Sequence, residues 1–140
     1  MATEIYSEIN TERQDLVFNN TNQSALAVIN YNEPLKVVLD HPIPKLGDYD
    51  ILVNNKAIGL NPIDWKGKKY GFGIYHFPWI NGRESSGVIV ERGKNVDEFE
   101  VGDRVMISST SYRDNRTSTF QQYTAIDSRL VWKLPNSFSF

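Results

Sequence analysis

The 140 residues contain no cysteine and only two histidines and two methionines. Without cysteine there can be no disulfide, no thiolate zinc site and no cysteine nucleophile. No apolar run approaches the ~18 residues of a membrane-spanning helix. Charge is close to balanced, at a net of −2. That gives no electrostatic case for nucleic acid or for an anionic membrane as partner. The first residues lack a basic stretch followed by an apolar one, so no secretory leader is expected and the cytoplasm is the expected location.

What remains is the composition of one folded domain with an arm. The apolar share of 40% and the charged share of 23% match a water-soluble core-forming chain. Residues 1–23 are polar, with Glu4, Glu8, Glu12, Arg13 and Asp15. They read as a flexible arm, apart from a weak strand at Asp15-Leu16-Val17-Phe18. From residue 24 to 140 the pattern changes to short runs rich in Val and Ile, cut by Gly, Pro, Asn and Asp. The expected strands are 25–30, 35–40, 50–58, 86–92, 104–108, 119–126 and 131–134, which suit a barrel or sandwich. In residues 86–92, Val88 and Val90 should share one face and Ile89 the other. One short helix is expected at 61–69, with Asn61 as N-cap and Pro62 in its first turn, frayed by Gly67. Residues 70–79 read as an aromatic, Gly-rich loop.

Three short segments carry the chemical argument. They are Gly59-Leu60-Asn61-Pro62-Ile63-Asp64, Gly82-Arg83-Glu84-Ser85-Ser86-Gly87 and Val101-Gly102-Asp103-Arg104-Val105. Ile51-Leu52-Val53 precedes them, and Phe120-Gln121-Gln122-Tyr123 and Lys133-Leu134-Pro135 follow. In this order they resemble the amino-terminal, catalytic domain of the zinc-independent medium-chain dehydrogenase/reductases, the quinone oxidoreductase and enoyl reductase branch. The resemblance implies a GroES-like (chaperonin-10-like) fold, mainly β with short helices, in a partly open barrel spanning 24–140. It also implies reduction of quinones or α,β-unsaturated carbonyls with NADPH. The Rossmann nucleotide-binding domain that such enzymes carry is absent from these residues.

In zinc-dependent relatives a Cys and a His hold the metal where this chain has Asn61 and Arg83. An amide is a poor zinc ligand and a guanidinium has no lone pair to give. The structural-zinc Cys cluster is missing too, so no metal is expected. His41 and His76 lie apart, without ligand spacing. By the resemblance, Asn61 is the candidate catalytic residue, standing near the nicotinamide and the substrate carbonyl. Asp64, Lys66, Tyr70 and Phe72 are candidates for the substrate and cofactor cleft. Asn61 is equally a helix cap, and Trp65 and Tyr70 can equally be packed aromatics.

Gly82, Glu84, Gly87, Gly102 and Asp103 read as structural. Read alone, Glu84 could be a surface acid or the partner of Arg83 or Arg104; the resemblance implies a buried structural carboxylate beneath the active-site floor. Gly87 reads as a point of close backbone approach. Gly102 and Asp103 should tighten a turn. Gly71-Phe72-Gly73-Ile74-Tyr75-His76 starts like a dinucleotide fingerprint, but its sixth place is His and no strand leads in. The chain by itself is therefore expected to bind no cofactor tightly and to lack turnover. A small-molecule carbonyl or quinone, a nucleotide-binding domain and a second copy in a homodimer are the expected partners. A non-catalytic binding module or a truncated, inactive product is the alternative.

Overall fold

Burial along the strands shows which faces meet. The computed structural model describes residues 18–109, 111 and 113–140. Most of the Asp15–Phe18 run expected as a strand lies outside them. Eight strands are present among the described residues: β1 (Asn22–Val28), β2 (Lys36–Pro42), β3 (Asp50–Gly59), β4 (Trp79–Ile80), β5 (Glu84–Arg92), β6 (Arg104–Ser108), β7 (Tyr123–Asp127) and β8 (Val131–Lys133). One α-helix, α1 (Pro62–Tyr70), and 3-10 turns at Asn115–Thr117 and Ser128–Leu130 complete the set. The sheets run β2-β1-β4 and β7-β3-β5-β6-β8, and every pairing is antiparallel. Neither sheet closes on itself, which is the partly open, mainly β architecture expected.

In β5, Ser85, Gly87 and Ile89 are buried while Val88 and Val90 sit on the other, half-covered face. This is the two-residue period of a strand with one face on the core. In β6, Val105 and Ile107 point inward and Met106 outward. By contrast, Asp50 to Val53 of β3 and Thr124 to Ile126 of β7 are buried without alternation, so both of their faces are covered. The main core gathers Ile51, Val53, Ile89, Val105, Ile107 and Ile126, closed at one end by Val96 and Phe99 from the β5–β6 connection. Full burial of each such side chain is worth roughly 1.5–3 kcal/mol. The smaller sheet has its own cluster, Ala25, Ala27 and Ile80, with Ile29, Val38 and Phe120 against it.

The sheets are joined by residues 118–122, of which sequence reading placed 119–122 in a strand. Their backbone turns instead to two partners. Leu26 N–H donates to the Phe120 carbonyl at 2.8 Å, and Gln122 N–H to the Ser24 carbonyl at 3.1 Å. Asn55 N–H donates to the Gln122 carbonyl at 2.8 Å. Regular pairing with β3 starts only at Tyr123. Three other local readings change. Asn22 and Gln23 belong to β1 rather than to the arm. Trp79 is fully buried in β4, not in a loop, and Tyr75 and His76 approach it edge-on at 5.5 and 5.0 Å. Pro42 ends β2 without breaking it, because β2 is an edge strand and a missing N–H costs nothing there.

Gly87 of β5 lies against β3, where an added Cβ would overlap the Asn54 carbonyl oxygen. Gly82 has φ of 100° and would collide with Thr119 and Phe120. Gly87→Ala is therefore expected to destabilise the fold by about 1–3 kcal/mol through overpacking. A urea titration of the purified chain reads this as a lower midpoint at unchanged slope.

Candidate active-site cleft

β3 delivers the chain to the site. It ends at Gly59, Leu60 follows with 82% exposure, and α1 starts at Pro62. Asn61 is the N-cap, in extended conformation, in a capping box with Asp64. Asp64 is only 8% exposed, and its Oδ2 accepts the Asn61 N–H at 2.7 Å. Its backbone carbonyl accepts Asn81 Nδ2 at 2.6 Å. A carboxylate here answers the unpaired N–H groups and the positive end of the helix. Asp64 therefore fixes the turn that presents Asn61, and does not itself open onto solvent.

The other end of α1 is also held. Gly71 takes the left-handed conformation, and the N–H groups of Gly71 and Phe72 meet the Gly67 carbonyl at 2.9 and 3.1 Å. Gly67 does not fray the helix, contrary to the sequence reading. It is buried, and an added Cβ would press on the Phe72 carbonyl at 2.8 Å. Its lack of a side chain lets the capping loop fold back.

Lys66, Tyr70 and Phe72 are all exposed on or just beyond α1. Trp65 and Tyr70 are not packed aromatics, being 52% and 61% exposed, with ring centroids 6.3 Å apart. Lys66 Nζ lies 5.6 Å from the Trp65 ring centroid. The helix thus brings Asn61, Asp64, Lys66 and Tyr70 onto one element, with Phe72 at its cap.

A second wall was not legible beforehand. An apolar groove of about 410 Å3 runs beside Leu60, lined by Leu26, Val37, Ile58 and Phe120 with the amides Asn55 and Gln122. No charged side chain lines it. Asn55 holds this wall. Its Nδ2 donates to the Gln121 carbonyl and to Thr124 Oγ1, each at 2.8 Å, and its Oδ1 accepts Ser85 Oγ at 2.8 Å. Gln121 adds bonds to Gln23 (3.0 Å) and to the Ser118 carbonyl (2.7 Å). Arg116, whose basicity is raised by its bond to Asp114, reaches Asp50 Oδ2 at 2.9 Å and pins the preceding turn to β3. The available signal was Asn54-Asn55 in mid-strand, an amide pair where β-branched residues are favoured.

Asn61 and Arg83, which the resemblance sets at zinc-ligand positions, are both half-buried. Among the described residues no three His, Asp or Glu side chains come together. Glu84 is exposed, which corrects the expectation of a buried carboxylate. It opens β5 on the face shared with Ser86 and Val88, away from the core, and its side chain covers Gly59. Asp103 Oδ2 accepts the Glu100 N–H at 3.0 Å across the turn containing Gly102, whose φ is 95°. The Gly71–Gly73 loop follows a helix and leads to β4, so it lacks the strand-to-helix order that cradles a pyrophosphate.

Residues 47–136 match the alcohol dehydrogenase GroES-like domain. The chain belongs to that family. It is 36% identical over 76% of its length to the dehydrogenase pigH of Monascus ruber, covering 31% of that protein. It is also 36% identical to the trans-enoyl reductase tndF of Aspergillus flavipes, over 76% of this chain and 32% of that protein. Among solved structures, the quinone oxidoreductase of Coxiella burnetii superposes with a TM-score of 0.76 at 26% identity, over 84% of this chain and 38% of that one. The chain thus spans about a third of the length of the curated relatives it matches.

Asn55→Ala would orphan the Ser85 hydroxyl and the Gln121 carbonyl in a buried setting. At roughly 1–3 kcal/mol for each group left unpaired, the expected loss is about 2–6 kcal/mol. Denaturant unfolding measures it, and amide exchange should show the increased opening concentrated in residues 118–122.

Proposed function

We propose that this chain forms the substrate-side wall of a zinc-independent, NADPH-dependent oxidoreductase that reduces quinones or α,β-unsaturated carbonyls. The observation that carries the reading is the Asn61 turn. It is fixed by a buried Asp64 and set beside an uncharged apolar groove. An apolar enone or quinone suits such a groove, because no buried charge is left without a partner on binding. The enoyl reductase and quinone oxidoreductase names among the relatives support the same substrate class.

When bound, the nicotinamide supplies a hydride to the electrophilic carbon. What this chain contributes is position and polarity. Asn61 offers a carboxamide N–H toward the substrate oxygen as negative charge develops there, the role a metal plays elsewhere. The bond from the Asn61 backbone N–H to Asp64 Oδ2 fixes the backbone that carries this carboxamide. Lys66, exposed on the next turn, adds a cation at the same mouth. The wall that holds the pyrophosphate falls to a nucleotide-binding fold, because no segment described above can cradle it. Pairing with a second copy belongs to the same proposal, as does a cytoplasmic location. No helix among the described residues is long and apolar enough to cross a membrane. A non-catalytic binding module is the competing reading, because these residues cover only about a third of the matched enzymes.

One assay separates them. The gene product joined to its nucleotide-binding domain is mixed with NADPH and a panel of quinones and enones. The expected result is NADPH consumption that a chelator leaves unchanged. Asn61→Ala should lower kcat by roughly 10²–10³-fold, as when one oxyanion donor is removed. Loss of rate in chelator, restored by zinc, would remove the metal-free mechanism. Absence of turnover with every substrate would favour the binding module.

A further inference from the structure

A pocket of about 660 Å3 opens on the outer side of α1, within the roughly 300–1,000 Å3 range of small-molecule clefts. Tyr31, Asn32 and Leu35 from the β1–β2 connection form one wall, and Trp65, Lys68 and Lys69 form the other. Lys66 and Tyr70 are not among its lining residues. Lys68 stands about 160° around the helix from Lys66, whereas Lys69 is only about 60° from it, so the pocket adjoins the face that carries Lys66.

Charge is concentrated here. The wall carries Lys68 and Lys69 against Asp64 alone, with Lys66 on the same helix, in a chain whose total charge is −2. Among the described residues, none of the three lysines takes part in an ion pair. Lys68 Nζ donates to the Tyr31 carbonyl at 2.9 Å. Lys69 Nζ lies 5.6 Å from the Trp65 ring centroid and 5.3 Å from that of Tyr70. These contacts orient the ammoniums without neutralising them. Asp64 is the one carboxylate on the wall, and it is buried and bonded to the helix start.

We propose that this pocket binds a phosphate monoester borne on a flat ring, with the phosphate between Lys68 and Lys69 and the ring on the Trp65 indole. A carboxylate would answer one ammonium. A phosphate monoester carries close to two charges at neutral pH and three acceptor oxygens, enough for both. The half-exposed indole is a ready stacking surface for the ring. This site stands independently of the reductase reading.

The test is calorimetric titration of the 140-residue chain with phenyl phosphate, inorganic phosphate and phenol. Saturable binding of phenyl phosphate is expected, weaker at high salt, with inorganic phosphate weaker and phenol weaker still. Lys68→Gln with Lys69→Gln should weaken it by tenfold or more, since each charged hydrogen bond is worth about tenfold. Trp65→Ala should reduce the preference for phenyl phosphate over phosphate. Lys94→Gln, at a distant turn where Lys94 pairs with Asp48, should change nothing. No saturation at millimolar phenyl phosphate would overturn the proposal. So would affinity indifferent to salt and to both lysine changes. Equal binding of phosphate and phenyl phosphate, or of phenol and phenyl phosphate, would overturn it too.

Discussion

The architecture depends on a polar joint between two sheets. Each sheet has its own apolar cluster, but amides and hydroxyls tie one to the other. Asn55, Gln121, Gln23 and Thr124 are linked through side chains and through the backbone of 118–123. Buried amides carry a high penalty when unpaired and a directional bond when paired. A greasy seam could slide, whereas this one has a single register. That register sets where Phe120 and Gln122 stand relative to Ile58 and Leu60, and so defines the groove.

The joint and the helix start share one strand. Asn55 sits in the middle of β3, and Asn61 lies two residues beyond its end. Any shift of the joint is carried along a strand that β5 follows as far as Gly59, while β7 holds its first half, Asp50 to Asn54. The capping bond of Asp64 then converts strand direction into helix direction. Site and scaffold are mechanically continuous.

The helix divides its labour by face. Asp64 and Gly67 are buried and serve the fold. Lys66 and Tyr70 are exposed and approach the ring of Trp65, which lines the pocket on the helix together with Lys68 and Lys69. The last-turn lysines also offset the negative end of the helix dipole, so their charge has a structural use even before a ligand is considered.

Much was legible from residue order alone. The strand at β6 had its limits right, and Ile89 and Val88 were assigned to opposite faces, because a two-residue period leaves a clear trace in Val- and Ile-rich runs. The N-cap and Pro62 marked α1, because local backbone chemistry decides a helix start. The six ordered segments carried the family, which the domain match then showed. Residue order could not tell that 118–122 would leave the strand, because its hydrogen-bond partners, Ser24, Leu26 and Asn55, lie far away in the chain. Nor could it tell that Glu84 would face outward or that Trp79 would be buried in β4. Which side of a strand meets the core depends on where the neighbouring sheet lies. The sequence determined the elements and the chemistry available to them. The tertiary structure decided which of those groups share a wall, because burial and long-range pairing belong to the packed whole and not to any segment of it.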